Sequence, residues 1–107
     1  MKCIIWTAWS DIHAAHTDPF RGGEVHGHLW RVRLGIRQDM RNRTDIRSLL
    51  SQCQTFAEYL DHTNLGTIST EDIAEQALQN STADIVQVEE VGICLVELQK
   101  EAGEGTL

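Results

Sequence analysis

A single proline, Pro19, leaves most of this 107-residue chain free to form long strands and helices. The three cysteines, Cys3, Cys53 and Cys94, are odd in number, far apart and in no CxxC pair. That excludes a disulfide framework and fits a reducing compartment. Basic residues are scarce, nine against sixteen acids, for a net charge of -7. A general nucleic-acid or anionic-membrane binder is basic, so neither partner is expected. No apolar run is long enough to span a bilayer. The N-terminal 1-MKCIIWTAWSDIH-13 is broken by Asp11 and His13, and no leader cleavage site follows. The reading is a soluble, cytoplasmic protein. Repeats, low-complexity tracts and linkers are missing as well, so residues 1–107 are expected to form one domain.

What is present is a succession of periods. Residues 3-CIIWTAW-9 are apolar on both faces and read as a buried first strand. The stretch 17-TDPFRGGE-24 is a loop. From His26 to Gln38 the chain alternates. His26, His28, Trp30, Val32, Leu34 and Ile36 share one side, and Arg31, Arg33 and Arg37 the other. After a polar turn at 39–43 the period changes. Ile46, Leu49, Leu50, Cys53, Phe56, Ala57 and Leu60 recur at three and four, which predicts an amphipathic helix capped by Thr44 or Asp45. A polar turn, 61-DHTNLG-66, precedes a second helix. Ser69 or Thr70 is its cap, Ser69 with Asp72 resembles a capping box, and Ile73, Ala74, Ala77 and Leu78 form its stripe. Residues 85–91 and 93–98 read as strands joined at Gly92, and 101–107 as a frayed tail. The predicted order is β-β-α-α-β-β: an α+β layer of four antiparallel strands with two helices on one face. Its open edges predict an oligomer.

Six of the nine basic residues are Arg31, Arg33, Arg37, Arg41, Arg43 and Arg47. They read either as a solvated face or as an attractor for a phosphorylated small molecule. The stretch 24-EVHGHLWRV-32 carries the sharper chemistry. His26 and His28, two apart on a strand, project from one face, and Gly27 leaves the other open. His16, in 12-IHAAH-16, precedes the loop into that strand and is the candidate third ligand. Three neutral imidazoles leave a fourth tetrahedral position of zinc open, the pattern of a catalytic site. The plainer alternative is strand histidines that each bond a backbone carbonyl. His13 points away from this group.

In order, IHAAH, VHGH, LDHTNLG, STEDIA and a glutamate before the last strand resemble the 6-pyruvoyltetrahydropterin synthase family. That family includes the bacterial 6-carboxytetrahydropterin synthases of queuosine synthesis. The resemblance spans about residues 5–98. It implies the tunnelling fold (T-fold), in which three subunits close a barrel, two trimers stack into a hexamer, and active sites lie between subunits. It implies that His16, His26 and His28 bind Zn2+, and that Asp61 and His62 relay protons as a pair. It also implies that Glu90 holds the pterin ring, one carboxylate accepting two adjacent N–H groups. Glu89, one residue away, faces the other side of the strand. Glu71 matches the glutamate of the family's Pro-Thr-x-Glu element, with Ile68 in place of the proline. Without the resemblance, His62 reads as a group that satisfies carbonyls at a helix end.

The pattern breaks at one place. Relatives carry a cysteine or a glutamate four residues before the first histidine of HGH, as the general base; here that residue is Gly22. Glu24, two residues on, is the replacement candidate. Cys53 falls on a helix core face, and Cys94 reads as a core residue or a neighbour of the pterin. Leu98 stands where relatives often have tyrosine. Three readings follow. The first is a zinc-dependent carbon-oxygen lyase acting on 7,8-dihydroneopterin triphosphate or a close pterin. Zinc and the Asp-His pair alone would also support an easier cleavage, such as a retro-aldol step. The second is a non-catalytic pterin- or zinc-binding homologue, and the third a purely structural oligomer.

Overall fold

The computed structural model describes residues 1–20, 23–41 and 44–101. The tail expected from residue 101 onward therefore lies almost wholly outside the described residues. The elements are β1 (Lys2–Trp6), β2 (Ser10–Thr17), β3 (Val25–Asp39), α1 (Arg47–Leu60), β4 (Asn64–Thr67), α2 (Thr70–Gln79), β5 (Ile85–Glu90) and β6 (Cys94–Gln99). The α+β class and the two helices on one face are as expected. The count of four antiparallel strands is not: the sheet has six, in the order β4-β2-β3-β5-β6 with β1 also on β3, and β2–β4 is a parallel pair. Among the described residues, no helix is long and apolar enough to cross a membrane.

The extra strands have local causes. Trp6 pairs with Gly35 and Ser10 with Val32, so three residues, Thr7 to Trp9, oppose two on β3. This is a β-bulge. The Thr7 N–H donates to the Leu34 carbonyl at 2.8 Å. The Leu34 N–H donates to Thr7 Oγ1 at 3.1 Å. One extra residue flips the alternation. Ile4 and Trp6 thus lie on the face of Gly35 and Arg37, while Ile12, Ala14 and His16 lie on the face of Val32, Trp30 and His26. Asp11 and His13, which break the N-terminal apolar run, are exposed residues on the outward side of β2. The turn expected at 61–66 contains β4, whose Asn64 pairs with Ala15.

The core lies between the sheet and the helices. β2 contributes Ile12 and Ala14, β3 Trp30, Val32 and Leu34, and β5 Val86 and Val88. α1 covers them with Leu49, Cys53, Ala57 and Leu60, spaced as one helical face. α2 adds Ile73, Ala74, Ala77 and Leu78. Its capping box forms as expected: the Asp72 N–H donates to Ser69 Oγ and the Ser69 N–H to the Asp72 carboxylate. α1 differs from expectation. Its N-cap is Ile46, without a side-chain bond, and Asp45 instead accepts the Arg47 N–H at 3.0 Å.

The helix-free face is polar but organised. The Arg31 Nε donates to Glu89 at 2.5 Å, and Arg33 donates to Gln87 Oε1 at 2.9 and 2.6 Å. The Arg33 guanidinium lies 4.7 Å from the Trp6 ring centre and 4.4 Å from that of Trp9. At the upper end of this face Gly35 is buried, and a Cβ there would meet Ile85 Cγ2 at 2.7 Å and Trp6 Cε3 at 3.0 Å. Gly35→Ala is therefore expected to cost about 1–3 kcal/mol by overpacking. Urea unfolding measures this, and an unchanged midpoint would show that the site can relax.

Candidate metal centre

β2 and β3 build the centre through their register. His16 and His26 are directly opposed, and His28 follows His26 by one pleat, so the three imidazoles share the helix-side face. One ring nitrogen from each lies within 4.8 Å of the others. His16 is buried, and His26 and His28 are half-buried. The outer nitrogens are pinned. His16 Nδ1 donates to the Ile68 carbonyl at 2.8 Å, and His26 Nδ1 to the Glu24 carbonyl at 3.2 Å. A carbonyl only accepts, so both Nδ1 atoms donate, and the two Nε2 atoms turn inward. Those two Nε2 atoms are 3.1 Å apart. Two lone pairs at that distance repel unless a proton or a cation lies between them. Three converging imidazoles with backbone anchors on their outer nitrogens are a donor set that could hold a divalent ion that prefers imidazole.

Glu90 reaches the same centre. It opposes Trp30 across β3–β5, which places it on the histidine face; Glu89 opposes Arg31 and is paired to it on the other. The Glu90 carboxyl is buried, with Oε2 3.5 Å from His28 Nε2 and 3.7 Å from His16 Nε2. Its other oxygen accepts from Thr70 Oγ1 at 3.4 Å, and Thr70 Oγ1 in turn accepts from Trp30 Nε1 at 3.2 Å. The Trp30 ring meets His16 and His28 edge-on, at centroid distances of 4.8 and 5.4 Å. Beside the centre is a cavity of about 190 Å³ lined by His16, Thr70, Glu71, Glu90, Ile93 and Cys94. Cys94 is exposed at its rim, opposite Glu90 in register, rather than packed in the core. Cys53 is buried under α1, as expected, and donates to the Val32 carbonyl at 3.4 Å. Burial pushes its thiol up, more than the Ser10 and Thr7 hydroxyls pull it down. It is therefore a poor base.

Asp61 and His62 form a second group. His62 follows the end of α1 in a left-handed conformation, φ 59°. Its N–H donates to the His13 carbonyl at 2.5 Å, and the His13 N–H donates to Asp61 Oδ1 at 2.6 Å. Asp61 Oδ2 lies 3.3 Å from His62 Nε2, so the pair exists as a contact. The His62 ring stacks on His13 at 6.0 Å. His13 points away from His16, so one chain places this pair on the opposite side of the β2–β3 hairpin from the three histidines. A cavity of about 610 Å³ opens over Gly27 and beside His13 and His62, and His28 is also on its wall.

Other sequence expectations resolve variously. Glu24 is exposed, and its contribution to the centre is the carbonyl that holds His26. Gly22, at the family's base position, lies outside the described residues. Arg31 and Arg33 are engaged on the helix-free face, away from the histidines. Sequence reasoning missed Thr70, Trp30 and the Ile68 carbonyl. Trp30 continues the even-numbered face of His26 and His28, a signal that was available. The other two depend on where α2 begins against the sheet.

No family model matches the sequence, and no curated protein matches it. Solved structures do. 6-pyruvoyl tetrahydropterin synthase from Caenorhabditis elegans superposes with a TM-score of 0.73 at 16% identity, over 94% of this chain and 97% of that one. The Plasmodium vivax 6-pyruvoyltetrahydropterin synthase, in a catalytic-residue mutant form, gives 0.72 at 15% identity, over 94% and 99%. The Plasmodium falciparum enzyme gives 0.73 at 15%, over 92% and 98%. The chain thus has the fold of these synthases along nearly its whole length.

Proposed function

We propose that this chain is a zinc-dependent pterin lyase of the 6-pyruvoyltetrahydropterin synthase type, a cytoplasmic enzyme acting on 7,8-dihydroneopterin triphosphate or a related pterin. The observation that carries the reading is the convergence of His16, His26 and His28, with the outer nitrogens of His16 and His26 pinned to carbonyls. Zinc, when bound, supplies Lewis acidity toward the oxygens of the pterin side chain. Glu90, on the wall of the adjoining cavity, accepts the paired N–H groups of the ring. Asp61 holds the His62 imidazole in one tautomer, and the pair relays protons.

The placement of Asp61 and His62 across the hairpin from the metal centre supports an active site shared between copies of the chain. The outer edges of β1 and β6 support the same assembly. Among the described residues β1 pairs with β3 alone and β6 with β5 alone, and unpaired edges invite another chain. The assembly in this reading is a trimer, or a hexamer of two stacked trimers. The second reading, a non-catalytic pterin- or zinc-binding homologue, rests on Gly22 at the base position; in the first reading Glu24 takes that role. One preparation separates them. Zinc per subunit is quantified, dihydroneopterin triphosphate is added, and pterin products are followed by mass. Zinc with a new tetrahydropterin establishes the lyase. Zinc with pterin binding but no product establishes the binding homologue, and a chain that takes up no zinc sinks both.

A further inference from the structure

We propose that Glu90 is itself a metal ligand, so that the centre is a three-histidine, one-carboxylate set that gives up its carboxylate when a pterin arrives. This rests on the reading of the histidines as a metal site. It changes the role of Glu90, which otherwise serves the ring alone. Three observations carry it. First, Glu90 is 7% exposed, and among the described residues its ion-pair partners are His16 and His28, with no lysine or arginine beside it. Buried carboxyl groups are paired or coordinate metals. Second, Oε2 lies 3.5 and 3.7 Å from two of the three ligand nitrogens. Neighbouring donors on one ion, each bonded at about 2.0–2.2 Å, stand at about such separations. Third, the Trp30–Thr70–Glu90 chain holds Oε1 back and leaves Oε2 turned to the histidines, the arrangement by which hydrogen bonds orient a ligating carboxylate.

The charge balance agrees. Three neutral imidazoles leave a divalent ion with its full charge beside the buried Trp30, and one carboxylate halves it. An oxygen donor also widens the choice of metal toward manganese and iron. A pterin entering the adjoining cavity competes for the same carboxylate. Its ring N–H groups draw Glu90 off the metal, and the vacated position becomes available to the substrate side chain. No bond other than the metal–oxygen contact is made or broken.

The test compares zinc affinity, by competition with a chromophoric chelator, in the wild-type chain and in Glu90→Gln and Glu90→Asp. Circular dichroism of each checks the fold. The expected result is affinity weakened about 10–100-fold in Glu90→Gln and mostly retained in Glu90→Asp. The visible spectrum of the cobalt-substituted protein should change in Glu90→Gln, because a ligand has been lost. Equal affinity and an unchanged cobalt spectrum overturn the inference. If that same variant loses pterin binding, the ring-anchor role stands alone. A wild-type chain that binds neither zinc nor cobalt overturns the metal centre and this inference together. If both variants misfold, a cobalt spectrum of the wild-type chain that does not respond to pterin also overturns it.

Discussion

Replacing His16 with alanine is expected to weaken zinc binding by about 10²–10³-fold. Apparent zinc affinities of about 10–16 kcal/mol in four-ligand sites come to roughly 2.5–4 kcal/mol per ligand, and each 1.4 kcal/mol or so is a factor of ten. His16 carries a second cost. It is 2% exposed, and its Nδ1 satisfies the Ile68 carbonyl at 2.8 Å. Alanine leaves that carbonyl without its donor and opens a cavity beside Trp30, worth about 1–3 kcal/mol of stability. The variant should therefore lose metal and melt earlier. His26→Ala separates the two effects. His26 is half-buried at the start of β3, and its other bond is to the Glu24 carbonyl of its own strand entry. It should lose comparable affinity with less change in unfolding. Chelator competition and thermal unfolding on both variants provide the check. Wild-type affinity in both would show that these imidazoles are strand histidines and nothing more.

The largest effect on stability is expected from Trp30→Ala, at about 3–5 kcal/mol. Trp30 is fully buried, the largest of the completely covered side chains, and packs among Ile12, Val32 and the helix residues. Its loss removes the ring against which His16 and His28 rest edge-on. It also removes the donor that orients Thr70, and through Thr70 the Glu90 carboxylate. A loss of this size is a large part of a small domain's total stability. Trp30→Phe keeps most of the apolar surface and drops the N–H, and should cost less while still loosening Thr70. Urea unfolding with a constant slope distinguishes lost packing from a changed unfolded state. A midpoint in Trp30→Ala within experimental error of wild type would mean that the tryptophan does not hold the three histidines in place.

The parts that sequence determined are those in which side-chain period reports directly on a face. The alternation from His26 to Ile36 put both histidines on Trp30's side, and β3 is built that way. The three-four spacing of Leu49, Cys53, Ala57 and Leu60 predicted the buried stripe of α1, and Ser69 with Asp72 predicted the start of α2. The quoted motifs pointed to a fold that the likeness to solved synthases bears out. Tertiary structure decided what depends on a partner strand. The bulge at Thr7–Trp9 is invisible in a run apolar on both faces, yet it brings His16 to the helix side opposite His26. Without that extra residue, His16 would point the other way. β4 was hidden because four residues with a glycine read as a turn until β2 offers them hydrogen bonds. The choice between Glu89 and Glu90 follows from the β3–β5 register, which pairs one with Arg31 and sets the other over the histidines. The separation of Asp61 and His62 from the three histidines is likewise a matter of which side of the β2–β3 hairpin each group occupies. Local sequence sets the face of a residue within its own element; only the packed sheet sets which faces meet.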